Sequence, residues 1–200
     1  MQYHNSAVRY HAKTAFVTSR RYGVGDMGSL AGADAICQIA AQNADLQGEF
    51  RAWLSHRATD AASRFNRDHD EVPFVLVNGD RIANSWTDLT NGQIQRNLNV
   101  NEFGSPILEN TYASTVVWTG TSAGGLYVGP DDGNHQDCNS WGSPSSDMLG
   151  RQGNIYERNG RWSNFENRGC HGQKRLYCFQ QVSPTNTKIY GIETNSICFI

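Results

Sequence analysis

The sequence predicts one domain that mixes helix and strand, rich in loops through its second half and stapled by disulfides. Three observations carry that expectation. A helical period of apolar residues runs through GSLAGADAICQIAAQNA (28 to 44), with short strand-like runs on either side of it. Everything from Ser122 to Gln173 is rich in Gly, Asn, Ser and Asp. Five cysteines, Cys37, Cys138, Cys170, Cys178 and Cys198, lack the closely spaced pairs of a zinc site. At 200 residues the chain is long enough to bury a core without help from a metal.

Residues 14 to 18, TAFVT, read as a short strand with Phe16 inward. In the 28 to 44 stretch Leu30, Ala33, Ile36, Cys37, Ala40, Ala41 and Ala44 share one face of a helix, which buries Cys37. FRAWLS (50 to 55) alternates Phe50, Ala52 and Leu54 with Arg51, Trp53 and Ser55, a strand pattern. ATDAASRF (58 to 65) holds good helix formers, with Ser55 or Thr59 placed to cap a short helix. VPFVLVNGDRIA reads as a hairpin whose Asn78-Gly79 suits a tight primed turn, and SWTDL (85 to 89) as a helical turn. From 90 to 113 the chain is polar and weakly patterned, so a long loop is expected. TVVWTGT (115 to 121) is the most strand-like segment of the second half, and RLYCF closes the domain near residue 181. The chain thus divides into a leader (1–13), a domain (14–181) and a C-terminal tail (182–200) that ends in the apolar run ICFI.

Composition excludes several function classes. A net charge of −2 gives no reason to expect nucleic acid or an anionic membrane as partner. No apolar run reaches the roughly 18 residues that a membrane span needs. The start, MQYHNSAVRYHAK, has no secretory signal pattern, so an extracellular or cell-surface location implies a signal not visible in this chain. The lack of any N-x-[ST] acceptor favours a bacterial source. No H-E-x-x-H or P-loop pattern occurs and the histidines have no Ser or Cys partner visible in sequence, so an enzyme is not expected. Cys37, on the apolar face of a helix, is badly placed for a nucleophilic thiol. Disulfides are the better reading, and they place the protein outside the reducing cytosol. Four cysteines permit three pairings, which the residues alone leave open.

Taken together, GADAICQIAAQNADLQGEFRAWLS, VPFVLVNGDRIANSWTDLTNG, VVWTGTSAGG, DCNSW, GRWSNF and CHGQKRLYCFQ resemble the C-type-lectin-like fold, specifically its endostatin-like branch. They are more similar still to a bacterial domain family of unassigned function found in secreted and surface proteins. The resemblance spans roughly residues 14 to 181. It implies an α+β domain with two nested disulfides, Cys37–Cys178 and Cys138–Cys170, and long irregular loops (122 to 173) carrying the functional surface. Cys198 is then the odd cysteine, which suggests an intermolecular bond or a reactive thiol.

Candidate sites follow from both readings. Trp141, with Asn139 beside it, and Tyr127, Tyr156 and Asn164 are expected to contact a glycan or protein ligand, since aromatic faces stack on sugars. At least three of the five tryptophans are expected in the core. Calcium is the candidate cofactor, because lectins of this fold hold sugar through it: Asp131, Asp132, Asn134, Asp137 and Glu166 offer oxygen ligands. The Glu-Pro-Asn or Gln-Pro-Asp triplet of those lectins is absent, which favours solvated turn residues instead. Zinc, which endostatin-like domains can bind near the N-terminus, would draw on His4, His11 and Asp80. A polyanion would meet Arg20, Arg21, Arg51, Arg57, Arg64, Arg67, Arg81 and Arg96, although interleaved acids predict a mixed surface. The function expected is an extracellular adhesin or lectin-like domain that recognises carbohydrate or protein through its long loops. The alternative is a structural subunit of a surface fibre or assembly joined through its N- and C-terminal segments, with the tail placed for self-assembly by strand addition.

Overall fold

The computed structural model describes residues 12–67, 70–108, 111–129 and 136–181. Most of the leader, the tail and Cys198 therefore lie outside the described residues. The fold is organised around the last described strand, Arg175–Gln180. In order, the elements are β1 (Lys13–Val17), α1 (Val24–Met27), α2 (Leu30–Asn43), β2 (Phe50–Ala52), α3 (Ala61–Arg64), β3 (Phe74–Leu76), β4 (Arg81–Ala83), α4 (Trp86–Leu89), α5 (Tyr112–Thr115), β5 (Val116–Trp118), β6 (Leu149–Asn154), β7 (Glu166–Gly169) and β8 (Arg175–Gln180). The sheet order is β4-β3-β1-β8-β5-β6-β7, with β2 also paired to β8. Strand β8 runs antiparallel to β1 and β2 and parallel to β5.

Alternation along the central strands splits the core into two layers. Ala15, Val17, Tyr177 and Phe179 point to one side, where they meet Trp53, Trp86, Trp162 and Phe74. Phe16, Leu176 and Cys178 point to the other, against Leu30, Ala33, Cys37, Ala40 and Ala41 of α2. Helix α2 starts where the Ser29 hydroxyl accepts from the Gly32 amide at 3.1 Å. Its apolar stripe is the one its period predicts, except that Ile36 and Ala44 are half-buried. Asp34, on the polar flank, receives Arg64 at 2.5 Å and the Ala52 amide at 3.0 Å, which ties α2 to β2 and α3.

Both nested disulfides form as the resemblance implies. Cys37–Cys178 joins α2 to β8 across 141 residues, and Cys138–Cys170 closes 32 residues. Some elements differ from expectation. The 58 to 65 helix is a single turn, α3, with the Ser55 hydroxyl accepting from the Ala61 amide at 2.8 Å. The β3–β4 connection is a three-residue loop rather than a two-residue primed turn: Leu76 pairs with Asp80, and Gly79 takes the left-handed position at φ 91. The 122 to 173 region is also more regular than expected, since it holds the β6–β7 hairpin and a 3-10 turn at Gly160–Trp162.

Candidate functional site

A polar cleft of about 370 Å³ opens between three segments and is lined by Asp80, Arg96, Asn97, Asn99, Tyr156 and Arg158. Asp80 ends the β3–β4 loop, where its carboxylate accepts from Asn78 Nδ2 at 3.0 Å and its amide donates to Asn78 Oδ1 at 3.1 Å. Arg96, Asn97 and Asn99 lie on an extended segment pinned by Ile94, Leu98 and Val100, which are 1%, 0% and 4% exposed. Its backbone is fixed as well: the Gln95 amide donates to Ile82 O and the Ile94 amide to Arg158 O, both at 2.8 Å. Tyr156 and Arg158 follow the buried Ile155, and the Tyr156 hydroxyl donates to Ile107 O. Buried aliphatic anchors thus hold six polar side chains around one opening.

Two cationic side chains share the cleft. Several arginines elsewhere pair with acids, Arg51 with Glu49, Arg57 with Asp137, Arg64 with Asp34, Arg67 with Asp70 and Arg161 with Glu157, while others, such as Arg81 and Arg175, bond an amide or backbone oxygens instead. This is the mixed surface that the interleaved acids predict. Among the described residues, Arg96 and Arg158 have no such partner. Two unpaired guanidinium forks present donors in the geometry that carboxylate and sulfate groups match. Asn97 and Asn99 add amides that donate and accept, and Asp80 adds acceptors for hydroxyl groups.

The expected ligand residues do not converge on one place. Tyr156 lines the cleft. Tyr127 is half-buried, and its hydroxyl accepts from the Gln136 amide at 3.2 Å. Asn139 is exposed and accepts from Arg57 Nη2 at 2.9 Å, while Asn164 Oδ1 is buried without a partner among the described residues. Trp141 needs correction: it is not a surface platform but 0% exposed, with its indole N–H donating to Ser55 O at 2.8 Å. The cause lies in the backbone, because Cys138, Asn139, Ser140 and Trp141 all take positive φ, between 51° and 65°. Such a left-handed turn costs L-residues about 1–2 kcal/mol each. The Cys138 disulfide, the Trp141 plug and the Asp137 side chain hold it. Gly120 makes room for the ring, since a Cβ there would lie 2.8 Å from it.

Of the five calcium candidates, Asp137 and Glu166 lie among the described residues. Asp137 is 0% exposed, and its oxygens accept from the Ser140 and Arg57 amides, each at 3.0 Å. Glu166 pairs with Arg168 at 3.0 Å and accepts from Gln152 Nε2 at 3.0 Å and from the Tyr112 hydroxyl. Both carboxylates thus complete protein contacts. Among the described residues, no three His, Cys, Asp or Glu groups come together as a metal site. Asp131, Asp132 and Asn134, like His4 and His11, lie outside the described residues.

In the sequence Arg96 stands among scattered arginines and Asp80 among zinc candidates, and nothing in the spacing of Asn97, Asn99 and Arg158 marks them as partners of one site. The available signal was the apolar series Ile94, Leu98, Val100 and Ile107 inside a stretch read as loop. All four are buried.

Comparison with known proteins fits the fold. Residues 16–182 match the family described as Collagenase NC10 and Endostatin. The "Collagen alpha-1(XVIII) chain" of Homo sapiens is 26% identical over 170 residues, covering 82% of this chain and 9% of the human protein. The chain therefore spans a small part of that relative. No described helix is long and apolar enough to cross a membrane.

Proposed function

The chain belongs to the Collagenase NC10 and Endostatin family, and from that premise we propose that it is an extracellular, non-catalytic recognition domain whose polar cleft binds an acidic glycan. Two disulfides that close long loops support the oxidising location. The observation that carries the ligand reading is the pair of unpaired guanidinium groups, Arg96 and Arg158, facing one opening beside Asp80, Asn97, Asn99 and Tyr156. Guanidinium forks suit a carboxylate or sulfate, while the amides and the carboxylate suit sugar hydroxyls. An adhesin or lectin-like role follows, with the cleft rather than the 130s loop as the contact surface.

The test is titration of the protein with uronate-containing and with neutral oligosaccharides of equal length. Saturable binding of the acidic series is expected. Arg96→Ser and Arg158→Ser should each weaken it by about tenfold, the loss of one charged hydrogen bond, with circular dichroism unchanged. Equal binding of both series, or binding indifferent to both substitutions, would sink the reading.

A further inference from the structure

Three lysines, Lys13, Lys174 and Lys188, stand against fourteen arginines in this chain. One of the three occupies a place away from the cleft where its amine touches an aromatic face and, among the described residues, no acid. Lys174 precedes β8 and is 7% exposed. Its Nζ lies 4.4 Å from the centroid of the Trp118 ring. Among the described residues no carboxylate or hydrogen-bond acceptor reaches that Nζ. The nearest acid in electrostatic terms, Glu166, is already engaged by Arg168, Gln152 and Tyr112.

Two features make the amine chemically available. Burial first and the Arg168 charge second push the ammonium below its ordinary pKa, with Glu166 acting against them. A lysine can release its proton in such a place, whereas an arginine cannot. The second feature is Gly172: a Cβ there would stand 3.2 Å from Nζ, so the missing side chain leaves an approach to the amine. That approach lies in the turn between β7 and β8, where His171 and Gln173 are exposed.

We propose that Lys174 is a nucleophilic amine that captures small aldehydes as a Schiff base. The ammonium first gives a proton to solvent, and the freed lone pair attacks the carbonyl carbon to form the C–N bond. The carbonyl oxygen then takes up two protons and leaves as water. The product is a protonated imine, so ammonium and aldehyde become iminium and water with no redox partner and no net change of charge. The iminium keeps a cation over the Trp118 ring, where the indole face favours it.

The test uses the full chain with its disulfides intact, treated with a limiting dose of glycolaldehyde and cyanoborohydride and then mapped by peptide mass spectrometry. Lys174 is expected to carry the first adduct, several-fold faster than Lys188. Gly172→Val should slow capture at Lys174 and leave Lys188 unchanged. Lys174→Arg should abolish the early adduct with disulfides and circular dichroism preserved. Labelling of Lys174 only after denaturation, at the same rate as Lys188, or without regard to Gly172→Val would overturn the proposal.

Discussion

Tyr177 carries a phenol into a fully buried position, where it donates to Trp162 O at 3.0 Å and packs 5.7 Å from the Trp162 ring. Burial pushes its pKa well above the ordinary 10.0. Because the folded state holds that proton more tightly than the unfolded chain, the contribution is complete below pH 10 and is lost as pH climbs past it. Tyr177→Phe should therefore be less stable by about 1 kcal/mol at neutral pH, for the lost hydrogen bond. The gap should narrow as pH rises above 10, read from urea midpoints; a constant gap would contradict this. At this scale the sequence was legible where periodicity decides burial, as at Cys37. It was not legible at Trp141, whose polar neighbours suggest exposure while a left-handed backbone turns the ring inward. No side-chain pattern encodes that turn, because non-glycine residues rarely adopt it.

The second half of the chain shows how an element can hide. Strand β6 reads LGRQGN, with none of the β-branched or aromatic residues that mark strands. Its glycines are demanded by what lies over them. At Gly150 a Cβ would meet Cys138 Sγ at 2.6 Å and the Trp118 ring at 2.7 Å, and at Gly153 it would meet Trp162 O at 2.1 Å. The strand thus gives up its own side chains so that a disulfide, a tryptophan and a backbone turn can approach. Gly153→Ala should cost about 1–3 kcal/mol through forced displacement of the Trp162 backbone. Denaturant titration checks it, and an unchanged midpoint would refute the close approach. The 94 to 107 segment hid differently: its anchors Ile94, Leu98, Val100 and Ile107 are spaced for neither helix nor strand. They follow the contour of the core instead, and so the residues between them, including half of the cleft, went unread.

Across the whole molecule, two staples with different spans set the architecture. On the chain-entropy account, closing 141 residues restricts the unfolded chain by about 5 kcal/mol and closing 32 by about 4 kcal/mol. The longer one fixes α2 on the central strand β8, and the shorter one holds the left-handed turn against the β6–β7 hairpin. The cleft lies apart from both, built from the β3–β4 loop, the 94 to 99 segment and the residues after β6. The fold class and the disulfide pairing were readable because motifs distributed over the domain all pointed one way. The site was not, because its six residues come from three stretches that only the packed core brings together.

The measurement that bears most directly on this account is amide and arginine side-chain chemical-shift mapping during titration with a uronate-containing oligosaccharide. Shifts are expected at Asp80, Arg96, Asn97, Asn99, Tyr156 and Arg158, with little change at Tyr127 and Asn139. Shifts confined to Tyr127, Asn139 and their neighbours would place recognition on the other loops and contradict it.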